Sequence, residues 1–202
     1  MESWHILPDA PLGAVGPDSQ AFLHEGCADY RSAAKYLHEL PYERNSDRAD
    51  FRLVLSEGRG TCSTKHGLLA AVALEQGLPV SLTIGIYDMS EHNTPGVGRV
   101  LSAHGLDSLT EAHCYLRYAG RRVDVTRSGV LPRASITGFH EEWPIVPTQI
   151  GAHKVALHQG YLRRWLGDRP ALTLSPEDLW RIREMCIAAL AQAQGSPTAS
   201  RL

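Results

Sequence analysis

The chain has 202 residues, of which 43% are hydrophobic and 21% are charged, and its 20 basic and 22 acidic side chains leave a formal net charge of −2. This apolar content is enough for one sizeable core, and the charge balance gives no sign of a nucleic-acid or anionic membrane partner. No apolar run reaches the ~18 residues of a membrane span, and no basic segment precedes an apolar run at the N-terminus. The sequence therefore predicts a soluble, cytoplasmic protein.

One folded unit is predicted between two irregular ends. Residues 1–17 form a lead-in, and residues 195–202, which are small and polar, form a tail that is predicted to be disordered. Residues 18–194 form a single domain with its core at 57–127 and C-terminal helices within 149–194.

Two helices are predicted in the first half of this domain. Asp18 or Ser19 can cap a helix that ends before Pro41. The second helix begins near Ser63 and is closed by Gly77, which is followed closely by a proline.

The remaining elements are predicted from local periodicity. The run "VSLTIGIY", which begins at Val80, alternates apolar side chains on one face and indicates a strand. Residues 88–109 show no clear period and are rich in Gly and Pro, so we expect a loop suited to a flap over a substrate. Residues 149–166 and 175–194 are predicted as helices.

A β-hairpin is predicted in "AHCYLRYAGRRVDVT", with Ala119 and Gly120 as its two-residue loop. In this register His113 lies opposite Thr126. His113 and Asp124 are then diagonal neighbours on one face, with roughly 7–8 Å between their backbones. A slip by one residue would place them on opposite faces. The pattern thus predicts an imidazole beside a carboxylate.

Cys62 is predicted in the first turn of the second helix, where unpaired N–H groups and the helix dipole lower the pKa of a thiol. An imidazole such as His113 can take the thiol proton, and a carboxylate such as Asp124 can fix its tautomer. The candidate catalytic residues are therefore Cys62, His113 and Asp124, and this chemistry requires neither a metal nor a cofactor.

The cysteines also have a structural interpretation. Cys27, Cys62, Cys114 and Cys186 are scattered without a CxxC pair, which favours reduced thiols over a disulfide framework. Free cysteine is among the most buried residue types, so the three outside the candidate triad are expected to fill the core.

The other candidates have alternatives as well. Asp124 could brace Arg121 or Arg122 across the hairpin. His66, four residues after Cys62, is interpreted as a bystander of the pocket rather than an assisting group. A metal site built from cysteine and histidine at positions 62, 66, 113 and 114 has suitable residue types but no second ligand pair at zinc-site spacing.

The segments "GRGTCSTKHGLLAAVALEQGLPV", "AHCYLRYAGRR" and "VDVT" resemble the transglutaminase-like superfamily over about residues 57–127. The resemblance implies an α+β, papain-like fold in which the nucleophile helix packs on an antiparallel sheet with flanking helices. It also implies a Cys, His, Asp triad at Cys62, His113 and Asp124.

The chain departs from the family at several positions. The residues after His113 are Cys and Tyr, where the family often has a small residue and Trp, and Arg122 replaces a common Trp. The upstream oxyanion side chain of the family has three candidates here, at Gln20, Tyr42 and Asn45.

The resemblance implies a cysteine-dependent enzyme that acts on an amide or acyl bond of a peptide or small substrate through a thioester. We expect a hydrolase rather than a cross-linking transglutaminase, because the chain beyond the core leaves little for a second protein-docking domain. The alternatives are a catalytically silent binding or scaffold module and a small-molecule acyltransferase. Arg121, Arg122 and Arg127 would suit an acidic group on the substrate or are only solvated. The residues leave the oligomeric state open.

Overall fold

The computed structural model describes residues 3–126, 136 and 138–195, the last three of these without side chains. Four antiparallel strands form one sheet of order β3-β2-β1-β4, with helices packed around it, which confirms the predicted α+β class. The elements are α1 Pro17–His24, α2 Tyr30–Glu39, α3 Leu53–Glu57, α4 Cys62–Glu75, β1 Ser81–Met89, α5 Gly98–Ala103, β2 Leu109–Tyr118, β3 Arg121–Val123, β4 Glu141–Ile145, α6 Ala152–Gly167 and α7 Pro176–Gly195.

Helix α4 is the centre of the main core. All of its residues from Cys62 to Ala73 are buried, and it lies between β1 and β2 on one side and α1, α2 and α3 on the other. Leu69 and Val72 are fully buried in the same apolar cluster as Ile84 of β1. A helix that is apolar around its whole circumference is stable only when it is enclosed in this way. The packing therefore fixes the position of the helix's first turn.

The predicted strand and hairpin are confirmed. β1 spans Ser81–Met89, and Tyr118 pairs with Arg121 across the two-residue loop. Ala119 and Gly120 have φ of 48° and 75°, the left-handed pair that a tight hairpin turn of this twist requires. β4 has no counterpart among the predicted strands, and it pairs with β1 on the side away from β2.

The prediction of one helix from Asp18 to Pro41 is wrong, because the chain turns between α1 and α2. Gly26 has φ of 81°, a conformation that breaks a helix and that glycine adopts without strain. Asp29 then caps α2, with its carboxylate accepting from the Ser32 backbone N–H at 2.7 Å. Apolar side chains recur at helical spacing across both helices, so the sequence pattern does not show the break.

The prediction of an irregular flap at residues 88–109 is wrong in part. Thr94 does border the space beside Cys62 and His113, but the segment is not a loop throughout. This segment contains α5, and Val97 and Leu101 are buried in a second apolar cluster with Leu109 and the inner face of α7. A helix of six residues is too short to show a helical period in sequence. The segment is a packed part of the domain.

The structure describes most of the predicted lead-in but little of the predicted tail. The predicted lead-in holds a short 3-10 turn at Trp4–Ile6, and Leu7 and Leu12 are buried against the core. Of the predicted tail, residues 196–202 lie outside the described residues. Within the described chain, no helix combines the length and apolar character needed to cross a membrane.

Candidate active site

Cys62 is the first residue of α4, and the chain before it approaches the helix closely. Gly58 ends α3 with φ of 61°, in the left-handed region. A side chain at Gly60 would lie 3.0 Å from atoms of Val54 and Lys65, so this position has room only for hydrogen. The chain can therefore turn sharply into α4 and leave Cys62 in its first turn, 7% exposed.

His113 and Asp124 are brought together as predicted from the hairpin. The Nε2 atom of His113 lies 3.1 Å from Oδ2 of Asp124. The ladder between β2 and β3 has the predicted register but ends at Val123, so strand pairing does not hold Asp124. The side chains of His113 and Cys62 line the same cavity, and each shifts the pKa of the other. All three sequence-predicted site residues thus lie in one cluster.

Helix α4 itself positions the segment that carries Asp124. The Nε2 atom of His66 accepts from the Val125 backbone N–H at 2.8 Å, and its Nδ1 lies 2.8 Å from the Cys62 carbonyl oxygen. Because Nε2 accepts, the neutral ring carries its proton on Nδ1 and donates it to that carbonyl. Burial lowers the pKa of His66 to about 4, which keeps this tautomer uncharged. Lys65 adds a bond from Nζ to the Thr126 carbonyl at 3.0 Å.

The interpretation of His66 as a bystander is therefore wrong. It is a fully buried bridge that links the first turn of α4 to the residue after Asp124. The sequence placed it on the Cys62 side of the helix but could not show what the ring would meet across the fold.

The charges of the cluster favour an ion pair. The interaction with Cys114 lowers the pKa of Cys62 most, while burial raises it. The charges of Lys154 and His113 lower it further, and the pKa lies well below its ordinary value. Burial lowers the pKa of His113, but the charges of Asp124 and Cys62 raise it to about 10. These interactions therefore favour a thiolate on Cys62 beside an imidazolium on His113 and a carboxylate on Asp124.

Lys154 of α6 is a site residue that the sequence did not reveal. Its Nζ donates to Ser63 Oγ at 2.7 Å and lies 3.8 Å from Cys62 Sγ. The side chain is buried, and no carboxylate of the described residues lies within ion-pairing distance of it. A buried ammonium requires a negative partner, and the nearest sulfur supplies one when Cys62 is ionised. No local pattern could have found a contact between residues 92 positions apart.

Cys114 was expected to fill the core, and it is fully buried, as is Cys186, while Cys27 is 5% exposed. It does more than fill space, since its interaction with Cys62 lowers the pKa of that thiol. A thiol at this position therefore supports the ionised form of Cys62.

Two cavities meet at Cys62 and share Tyr42 and Ile187 in their walls. The first, of about 50 Å³, lies on the Lys154 side. The second, of about 30 Å³, lies on the His113 side. A small substrate can therefore extend in two directions from the sulfur.

The three candidates for an oxyanion side chain differ in their placement. Gln20 lines neither cavity, and its Nε2 donates to the Ala14 carbonyl. The amide nitrogen of Asn45 is occupied by Glu57 and by the Arg59 carbonyl. Tyr42 lines both cavities and is the best placed of the three.

Three further alternatives are not supported by the geometry. Arg122 is paired with Glu142, its Nη2 lying 2.6 Å from Oε2, so Asp124 does not brace it. Arg121 and Arg122 line neither cavity at Cys62, and Arg127 lies outside the described residues. Among the residues that the structure describes, no three His, Cys, Asp or Glu side chains are arranged to hold a metal ion.

Comparison of the chain with protein-family models, with curated proteins and with solved structures finds no match.

Proposed function

We propose that this protein is a cysteine-dependent hydrolase that opens an amide or acyl bond through a thioester on Cys62, on a transglutaminase-like, papain-like variant of the α+β fold. The observation that carries the proposal is the cluster in which Cys62 and His113 line one cavity and the Nε2 of His113 lies 3.1 Å from Asp124. This arrangement matches the requirements of an activated nucleophile, a base within reach and a group that orients the base.

The reaction follows from these positions. The Cys62 thiolate attacks the carbonyl carbon, and the carbonyl oxygen becomes an oxyanion. Its charge can be met by the backbone N–H of Cys62, which has no partner within the helix, and by the Lys154 ammonium 3.8 Å from the sulfur. His113 donates its proton to the leaving amine as the C–N bond breaks. His113 then takes a proton from water, the hydroxide attacks the thioester, and the thiolate leaves.

The walls of the cavities favour a small substrate over protein cross-linking. The space on the Lys154 side is bounded by side chains of α4, α6 and α7, and the space on the His113 side by side chains of α4, β1, β2 and α7. A cross-linking enzyme must admit a second protein at the thioester and exclude water from it. These cavities suit a short acyl group and a small leaving amine.

Trapping of the acyl-enzyme tests the proposal. A small p-nitroanilide donor should release p-nitroaniline and leave an acyl group that mass spectrometry maps to Cys62. Cys62→Ser should show no adduct, and Cys186→Ser, which replaces a buried cysteine in the other apolar cluster, should behave as wild type. Free acid released at the same rate with and without a primary amine supports hydrolysis. Amine-dependent conjugate as the main product would instead identify an acyltransferase, and no adduct with any donor would favour a silent module.

The pH dependence of Cys62 alkylation gives a second test. Because Cys114, Lys154 and His113 lower the pKa of Cys62, its rate with iodoacetamide should persist as the pH falls below 7, where an ordinary thiol is protonated. Lys154→Met removes one positive charge and should move the midpoint of the profile to higher pH. Mass spectrometry at each pH separates Cys62 from the other cysteines. An unchanged midpoint in a folded Lys154→Met variant would show that Lys154 does not lower the pKa of Cys62.

A further inference from the structure

The cavity on the Lys154 side of Cys62 has an unbalanced charge. Its lining contains four cationic side chains, and none of the described residues that line it is acidic. The cations come from the chain after α2, from α6 and from α7, so the fold gathers them from separate segments. They are Arg44, Arg48, Lys154 and Arg183.

Two carboxylates pair with these cations but do not neutralise all four, and one of them, Glu111, lines the adjoining cavity on the His113 side. Arg183 is held by Glu111, its Nη2 lying 2.5 Å from Oε1, and Arg44 lies 2.5 Å from Oε2 of Glu184. Arg48 has only a loose contact of 3.9 Å to the Glu184 oxygen that Arg44 already occupies. Its side chain is 50% exposed, so it can move toward a ligand at little cost.

The orientation of a substrate follows from the second cavity. His113 lines that cavity and must reach the leaving amine to protonate it. The amine therefore departs on the His113 side, and the acyl chain extends into the cationic cavity. A neutral apolar acyl chain there would desolvate arginine and lysine without giving them a partner.

We propose that the natural acyl donor carries a carboxylate on its acyl chain and that Arg48, supported by Arg44, binds this group in the cationic cavity. The substrate class is thus a half-amide of a short dicarboxylic acid, or an acidic acyl group of the same chemistry at the end of a peptide. This inference rests on the proposed function, because it uses the acylation geometry at Cys62. It differs from the sequence expectation, which placed the acidic group at arginines of the hairpin.

Two alkylating agents test the charge preference without requiring turnover. Iodoacetate carries the proposed carboxylate, and iodoacetamide is its neutral counterpart. We expect iodoacetate to label Cys62 about tenfold faster than iodoacetamide. With a thiol that has no anion-binding site beside it, iodoacetate is not the faster of the two reagents. Arg48→Gln should reduce the iodoacetate rate about fivefold or more and leave the iodoacetamide rate within about twofold. Arg99→Gln, an exposed arginine on α5, removes the same charge elsewhere and should change neither rate.

Turnover of succinyl and butyryl p-nitroanilides extends the test to the reaction. The succinyl donor should have the higher kcat/KM in the wild type, and Arg48→Gln should remove the preference mainly through KM. Labelling of Cys62 by iodoacetamide with no advantage for iodoacetate or the succinyl donor would overturn the inference and leave the proposed function standing. A Cys62 that reacts with neither reagent and forms no acyl adduct would overturn both. Equal loss of both labelling rates in Arg48→Gln would also overturn the inference.

Discussion

Replacing His113 by glutamine is expected to lower kcat/KM for an amide donor by about 10³-fold or more. The imidazolium both stabilises the Cys62 thiolate and supplies the proton to the leaving amine, and loss of a general acid and base alone commonly costs about 10²–10⁴ in rate. Glutamine keeps a hydrogen-bonding group beside Asp124, so the carboxylate that lies 3.1 Å from His113 retains a partner. The measurement is steady-state turnover together with the melting temperature of the variant.

The control for this prediction is His140→Gln, since His140 is 43% exposed on its side chain and pairs with Asp88 away from both cavities at Cys62. That variant should keep the wild-type rate. Asp124→Asn should lower turnover by a smaller factor than His113→Gln, because it disturbs the tautomer and leaves the base in place. A folded His113→Gln protein with turnover within about tenfold of wild type would remove His113 from the mechanism.

The parts of the site that sequence predicted all depend on local signals. Cys62 follows two glycines and opens an apolar helix, and the turn at Ala119 and Gly120 sets the register that brings His113 toward Asp124. Such signals act over a few residues, where backbone conformation and side-chain period are coupled. The nucleophile helix, the first strand and the hairpin were therefore predictable.

The parts that sequence missed depend on contacts between distant segments. Lys154 reaches Ser63 across 91 positions, and His66 meets Val125 across 59. Neither contact has a local pattern, because α6 and the segment after β3 are placed by the packing of the whole core. The cationic cavity was missed for the same reason, since Arg48 and Arg183 come from separate parts of the chain. Residues 88–109 show the converse. The short helix α5 in this segment is stabilised by burial, and it is too short for its period to be recognised in the sequence.

Replacing Glu111 by glutamine is expected to cost about 3–5 kcal/mol of unfolding free energy, because the change leaves Arg183 as a buried guanidinium without its main partner. The two side chains are 5% and 10% exposed and join β2 to α7. Burial raises the pKa of Glu111, but the charge of Arg183 lowers it below the ordinary value of 4.5. The stabilisation is therefore present above about pH 4.5 and is lost as the pH falls through the lowered pKa. Urea unfolding at pH 7 and at lower pH measures both effects.

A double replacement separates the loss of attraction from the exposure of an unpaired charge. Arg183 keeps a contact of 2.9 Å with Glu184 in the single variant, so the cost should lie toward the lower end of the range. Glu111→Leu combined with Arg183→Met removes both charges and fills a similar volume, and a buried ion pair replaced in this way commonly loses little stability. We therefore expect the double variant to be more stable than Glu111→Gln. If the double variant were the less stable of the two, the ion pair itself, rather than the stranded arginine, would hold β2 to α7. The comparison is valid only if the urea m-value is unchanged, since a changed m-value would mean that the folded or denatured state had altered.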